Sequence, residues 1–222
     1  MNHRPAPLVF ALALMVVVFI ITLIQIGILR IAFHKLGLSG ESAYLLLFAS
    51  LIGSLVNIPL FTIRSDASQA QPIPAFYRQY IHRALPHFEG RTLIAVNVGG
   101  AVVPVSFCLY LILTQDINLP GILLGVAIIT LICRLISRPL PGIGIGMPIF
   151  IAPISAAMVA LLLSPEQSPM FAYISGTLGV LLGADVLRLK DIRAMGTPIA
   201  SIGGAGTFDG IFITGIVAVL LA

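Results

Sequence analysis

The sequence predicts an all-α fold, a polytopic membrane helix bundle of about seven spans that forms a single integral membrane domain over residues 1–222. Hydrophobic residues make up 59% of the chain and charged residues only 9%, which is more apolar than the composition of a soluble domain. Apolar runs of about 20 residues, the length that crosses a bilayer as a helix, recur along almost the whole chain. Basic residues also alternate between successive loops, as expected for a multi-pass protein.

The connections between several apolar runs are only a few residues long, so neighbouring spans are expected to form antiparallel hairpins. The first run is too long for the hydrophobic region of a signal peptide and is predicted to be a retained span. The predicted spans are Leu8–Phe33, Ala43–Phe61, Leu93–Thr114, Leu119–Ser137, Pro148–Ser164, Met170–Leu187 and Pro198–Ala222.

The distribution of basic residues predicts the topology. Seven spans place ten of the 12 Lys and Arg residues on one side of the membrane and leave Arg30 and Lys35 on the other. By the positive-inside rule the N-terminus is cytoplasmic and the C-terminus is outside. We expect the chain to lie in the plasma membrane of a prokaryote, with the lipid bilayer as its main partner.

Two segments outside the regular spans leave alternatives open. The loop 62–91 contains a basic and aromatic stretch, Ile73–Leu85, which predicts either an amphipathic helix at the cytoplasmic headgroups or a solvated connector. The segment 138–148 is rich in Pro and Gly and cannot form a regular helix, so it is either a re-entrant segment or a cytoplasmic turn.

No cofactor is predicted. His82, His87 and Glu89 lack a further well-spaced ligand, and the chain contains no nucleotide-binding loop. The two cysteines, Cys108 and Cys133, fall inside apolar runs and are predicted to be buried packing residues. The scattered positive charges indicate topology and do not suggest a nucleic-acid partner.

The most informative residues are two carboxylates near the end of the chain, Asp185 and Asp209. An ionisable group at membrane depth costs about 3 kcal/mol or more, so such a residue is a candidate functional group. The two carboxylates lie at the same depth in the membrane only if Thr197–Gly206 is not helical and the last helix begins near Thr207 as its N-cap. In that arrangement the carboxylates face each other beside a cytoplasmic cavity.

Two carboxylates in one dry site share a proton, because both cannot ionise together. This state suits an aspartic protease and also a proton-coupled transporter. The structural alternative is that Asp185 pairs with Arg188 or Arg193 while Asp209 caps backbone amides.

The lining of the site is predicted from the small and polar residues around the two acids. Asn57 and Asn97 lie in apolar runs, where amides commonly bridge helices. The candidate substrate-binding residues are Gly203, Gly204, Gly206, Thr207, Gly210 and Asn97.

Two resemblances rest on these motifs. Gly183-Ala184-Asp185, followed by the segment 201–212, resembles the polytopic membrane proteins of domain of unknown function 1614, a name that implies no activity. More distantly, the paired acids are similar to intramembrane aspartyl proteases of the Gly-x-Gly-Asp type, although Thr207 and Phe208 separate Gly206 from Asp209 here.

The resulting expectation is an intramembrane aspartyl endopeptidase with an Asp185/Asp209 dyad that acts on a membrane-embedded peptide. The first alternative is a proton- or cation-coupled transporter or channel for a small solute or ion, with Asp209 as the binding carboxylate. The second alternative is a non-catalytic structural membrane protein.

Overall fold

The computed structural model describes residues 15, 26–66, 90–140, 144–204 and 210–222. Within these ranges the fold is mainly helical, as the predicted all-α class requires, but it also contains a small sheet. The helices are α1 (Ile26–Lys35), α2 (Gly40–Gly53), α3 (Val98–Thr114), α4 (Leu119–Ile136), α5 (Ile151–Leu163), α6 (Pro165–Arg188) and α7 (Gly210–Leu221). The strands are β1 (Asn57–Arg64), β2 (Arg91–Asn97), β3 (Arg138–Leu140), β4 (Gly144–Gly146) and β5 (Ile199–Ile202).

The core lies where α4, α5, α6 and α7 pack together, and small residues bring their backbones close. Gly125 of α4 is covered by the Phe171 ring of α6, and a Cβ at Gly176 would lie 3.2 Å from both the Ala156 Cβ and the Thr214 Cγ2. Glycines therefore allow α4, α5, α6 and α7 to approach one another closely. Cys108 and Cys133 are both buried free thiols, in agreement with their predicted packing role.

Two described helices are long and apolar enough to cross a membrane: α4 with 18 residues and α6 with 24. Helices α1 and α2 meet that requirement only as a pair, which is bent by 113° at the turn before Gly40. Helices α3 and α5 are apolar but shorter. The described residues thus contain helices in the predicted order, but not seven helices of full membrane-spanning length.

The predictions for the second and third spans were wrong about the helix bounds. Helix α2 ends at Gly53 and the chain continues as strand β1, whereas a span over Ala43–Phe61 was expected. The predicted span from Leu93 begins with strand β2, and α3 begins only at Val98. Both strands contain β-branched residues, and an apolar run alone does not distinguish a buried strand from a helix.

The three-stranded sheet has the order β1-β2-β5, with β1 antiparallel and β5 parallel to β2. Pro59 is tolerated because β1 is an edge strand, and the pairing register shifts beside it. The strands are non-helical parts of the second, third and seventh predicted spans. Strand β2 is hydrogen-bonded on both sides, so its backbone polar groups are satisfied without water, whereas β1 and β5 are edge strands and pair on one side within the sheet.

The Pro/Gly-rich segment forms an antiparallel pair of short strands, β3 and β4, with Arg138 opposite Gly146. Residues 141–143 between them lie outside the described residues. Residues 67–89 also lie outside the described residues, and they include the predicted amphipathic stretch Ile73–Leu85 and both histidines of that loop. The same holds for most of the first predicted span.

The last predicted span is broken at its glycine-rich start, as expected. Residues 199–202 form strand β5, Gly203 and Gly204 follow with positive φ angles of 80° and 87°, and α7 begins at Gly210. Residues 205–209, which include Gly206, the predicted N-cap Thr207 and Asp209, lie outside the described residues.

Candidate functional site

Helix α6 changes its winding just before its carboxylate. It is α-helical over Ser168–Val180, widens to a π-helical turn over Leu181–Asp185 and then tightens to a 3₁₀ turn over Val186–Arg188. Gly183 lies against α4, where an added Cβ would lie 2.8 Å from the Cys133 Cβ. Such π-helical turns are rare and frequently occur at functional sites, because they change the direction in which a side chain points.

The Asp185 carboxylate reaches the glycine segment that leads into α7. Its Oδ2 atom accepts a hydrogen bond of 2.9 Å from the backbone N–H of Gly203. Gly203 occupies the left-handed region of backbone space, which a residue with a side chain adopts only with strain. The contact therefore joins the end of α6 to the turn after β5, across 18 residues of sequence.

Asp185 lines a cavity of about 160 Å³ at the end of the helix bundle where the strands lie. Asp185 and Ser201 are the lining residues with polar side chains, and Gly204 lies beside them. The remaining wall is contributed by strands β4 and β5 and by the turn after α6, through Gly144, Ile145, Ile192, Met195, Ile199, Ala200 and Ile202. A cavity of this size has room for several water molecules beside the Asp185 carboxylate.

A polar network under the sheet holds β5 in place. The Ser201 hydroxyl donates to the Asn57 Oδ1 at 2.6 Å, and the Asn97 Nδ2 donates to the same oxygen at 3.1 Å. Asn97 is fully buried, and its amide also donates to the Ser54 carbonyl and accepts from the Gly100 N–H, each at 2.8 Å. Asn97 thus joins β1, β2 and the first turn of α3, and its described contacts are structural.

Close backbone contact joins the start of α3 to the same turn. A Cβ on Gly100 would overlap the carbonyl oxygen of Gly203, and a Cβ on Gly99 would overlap that of Ser50 in α2. The first turn of α3, Val98–Val102, is also π-helical. Two widened turns and two positive-φ glycines therefore meet around Asp185.

The basic residue nearest to Asp185 along α6 has other partners. The Arg188 guanidinium donates to the Asp191 carboxylate at 2.9 Å, to the Ser137 hydroxyl at 3.0 Å and to the Arg134 carbonyl at 2.7 Å. A further short hydrogen bond goes to the Ser137 carbonyl. Arg188 thereby satisfies carbonyls at the C-terminal end of α4 and forms an ion pair with Asp191.

The structure brings together three of the predicted site residues: Asp185, Gly203 and Gly204. Asn97 is connected to this group through Gly100, whose N–H donates to it and whose backbone packs against Gly203. Gly210 is the first residue of α7. Asp209, Gly206 and Thr207 lie outside the described residues, so the predicted contact between the two acids remains a prediction. Among the described residues, no group of three or more His, Cys, Asp or Glu side chains is arranged to hold a metal ion.

Sequence reasoning missed two parts of the site. Ser201 lies within the glycine motif, but only its pairing with Asn57 across the sheet shows that it belongs to the cavity wall. Ile192 and Met195 are buried with Ile94 of β2 in a small second hydrophobic cluster, which places them in the wall as well. A parallel pairing between strands over 100 residues apart leaves no local pattern that could have indicated this arrangement.

These features define a class of protein: an apolar helical protein with membrane-span-like helices, in which a carboxylate meets a glycine turn beside a small internal cavity. The chain belongs to the family described as "Protein of unknown function (DUF1614)", whose model matches residues 51–221. That range includes the sheet, Asp185 and the glycine segment. No curated protein and no solved structure matched the chain.

Proposed function

We propose that the chain is a multi-pass membrane protein whose sheet-bearing end faces the cytoplasm. The charge distribution supports this orientation. The described basic residues at that end are Arg64, Arg91, Arg134, Arg138, Arg188, Lys190 and Arg193. At the other end, the described basic residues of this type are Arg30 and Lys35 of α1. By the positive-inside rule this asymmetry supports a cytoplasmic N-terminus and a C-terminus on the outside.

The exposed surface supports embedding in lipid. Long aliphatic side chains project from the helices, including Leu113, which is 74% exposed, and Leu162, which is 78% exposed. Helices α5 and α7 alone are only about 20 Å long, which is less than the hydrocarbon thickness of a bilayer. Strand β5 precedes α7 and extends the length of that segment, and its backbone is paired within the protein.

At the site, the proposed activity is that of an intramembrane aspartyl endopeptidase with Asp185 and Asp209 as its catalytic acids. The hydrogen bond between Asp185 and Gly203 carries the proposal, because it holds one acid against the segment that leads to the other. In the proposed reaction one carboxylate takes a proton from water, which attacks the peptide carbonyl, while the other acid protonates the carbonyl oxygen. The adjacent cavity supplies space for that water.

A second candidate, proton- or cation-coupled transport, is favoured by the interrupted helices. Three predicted spans change from helix to strand at the same level, and broken spans commonly carry the binding sites of transporters. In that case Asp185 and the carbonyls around Gly203 would be the groups to contact an ion or a small solute. A non-catalytic structural role remains the third candidate.

Cysteine cross-linking tests whether the two acids meet. Asp185→Cys and Asp209→Cys, in a background with Cys108 and Cys133 replaced by Ala, should form a disulfide or a short bismaleimide cross-link in membranes. Thr62→Cys with Leu93→Cys is the positive control, because these positions are partners in the β1–β2 register. A reactive control pair combined with an unreactive acid pair would contradict the dyad.

Activity separates the candidates. Asp185→Asn and Asp209→Asn should each abolish cleavage of a membrane-peptide library in proteoliposomes, whereas Asp191→Asn should retain it, since Asp191 pairs with Arg188. Wild-type protein that cleaves nothing, but moves protons or cations in a manner sensitive to Asp185→Asn, would replace the protease by the transporter. Inactivity in both assays would leave the structural role.

A further inference from the structure

A second cavity lies at the opposite end of the bundle, in the corner between α1 and α2. Its volume is about 440 Å³, within the range of small-ligand sites. It is lined by Gly27, Arg30, Ile31, His34, Lys35, Leu38, Gly40 and Ala43. All of these residues precede the part of the chain that the family model matches, so this cavity is separate from the site around Asp185.

One face of α1 supplies the polar side of this cavity. Arg30 and His34 are one helical turn apart and lie on the same face of the helix. Lys35 points about 100° further around the helix, and it also lines the cavity. No carboxylate is among the lining residues, and within the described residues the two ion pairs both involve Asp191 instead. The described lining of the cavity therefore contains three basic side chains and no carboxylate.

Lys35 is partly committed to another role. Its Nζ atom donates to the Val219 and Leu220 carbonyls at 3.3 and 3.4 Å, which fixes the C-terminal end of α7 against α1. Among the described residues, the Arg30 and His34 side chains form no hydrogen bond or ion pair with the protein. Their donors are thus available to a ligand, with the Lys35 charge close by.

Basic residues are expected to be scarce at the end of the bundle that holds the α1–α2 corner, because the positive-inside rule places them at the sheet-bearing end. A basic group that merely reaches the membrane surface needs no cavity, and it would project separately. Here the three groups converge on one open space. Arginine binds phosphate with its planar set of donors, and Lys contributes a point charge.

We infer that the α1–α2 corner binds a phosphate-bearing anion through Arg30 and His34, with Lys35 strengthening the field. The phosphate belongs either to an anionic phospholipid headgroup or to a free phosphate. The lipid source rests on the proposed membrane embedding, whereas the free-phosphate source does not. Binding here is independent of cleavage or transport at Asp185.

Two probes distinguish the sources. The full-length protein in maltoside detergent is titrated with inorganic phosphate, and in a parallel experiment with phosphatidylglycerol against phosphatidylcholine, while thermal unfolding and native mass spectrometry are monitored. We expect saturable binding of one probe. Arg30→Gln should lower the affinity for that probe by about tenfold or more, which corresponds to about 1.4 kcal/mol of binding free energy. Arg30→Lys should lower the affinity less.

Arg138→Gln is the matched control, since it removes the same charge from an exposed position in the hairpin at the other end. His34→Gln provides a second variant on an exposed position of α1, so that the test does not depend on one substitution. Weakening by Arg30→Gln and His34→Gln but not by Arg138→Gln would support the site and assign its source. Equal effects of all three variants, or wild-type protein that binds neither probe, would overturn it.

Discussion

The Oδ2 atom of Asp185 accepts a hydrogen bond of 2.9 Å from the backbone N–H of Gly203, and this bond joins the end of α6 to the turn that follows β5. The donor is a main-chain group, so no substitution at position 203 removes the donor except proline. The contribution of the bond is therefore best measured from the carboxylate side.

Asp185→Ala should lower the free energy of unfolding by about 1–2 kcal/mol, since a half-buried charge-assisted hydrogen bond is lost. Asp185→Asn keeps an acceptor oxygen and should cost less than about 1 kcal/mol. Both variants should lose the proposed activity. Unfolding in detergent, followed by circular dichroism, checks the stability, and an equal loss in both variants would mean that the negative charge itself holds the turn.

Gly100→Ala should be strongly destabilising, by about 2 kcal/mol or more, because its Cβ would overlap the Gly203 carbonyl and the rigid backbone there cannot yield. Gly27→Ala is the control: no atom lies within 4 Å of its added Cβ, and alanine has the higher helix propensity. The changes in melting temperature of the two variants, relative to the wild type, should differ in sign or clearly in size. Similar small effects would show that α3 and the glycine turn can move apart.

Asn97→Ala should cost about 2–4 kcal/mol, because it leaves the buried Ser54 carbonyl and Gly100 N–H without their partner. Asn57→Ala should cost less, since Asn57 is exposed at the edge strand and bonds only through its Oδ1 in the described network. Equilibrium unfolding of both single variants and the double variant measures the coupling. Strictly additive losses would contradict the shared network.

Arg188→Lys should destabilise the protein by about 1–3 kcal/mol even though the charge is kept, because an ammonium group cannot replace the planar set of donors that reaches Ser137, Arg134 and Asp191. Lys190→Gln, on an exposed position in the same turn, should change stability by less than about 0.5 kcal/mol. The two variants are compared by chemical unfolding. Comparable losses would assign the effect to overall charge.

Much of the helical order could be predicted from the sequence, because apolar runs of membrane-spanning length and basic loops are local signals. The broken start of the last helix could also be predicted, since consecutive glycines at Gly203 and Gly204 and an otherwise misplaced acid both indicated it. The helix ends in the second and third spans could not be predicted, because Ile, Val and Leu are as apolar in a strand as in a helix. The sheet was missed for the same reason: its pairing joins Leu93 to Ile199, far apart in sequence.

The site was predicted to a similar extent. Asp185 and Gly203 were both selected by their chemistry, and a hydrogen bond joins them, while their role in a functional site stays a prediction. Ser201 and the Asn57–Asn97 pair entered only through the register of the sheet, which depends on tertiary packing rather than on local propensity.

The parallel pairing of β2 with β5 also has a consequence for biogenesis. Strands β1 and β2 can pair as soon as residue 97 has left the ribosome, but the free edge of β2 stays open until residues 199–202 have been synthesised. Throughout that interval the edge of β2 presents a row of unpaired amides and carbonyls. A chain stalled or truncated before β5 therefore presents an unpaired strand edge, which is a surface on which nascent chains can aggregate.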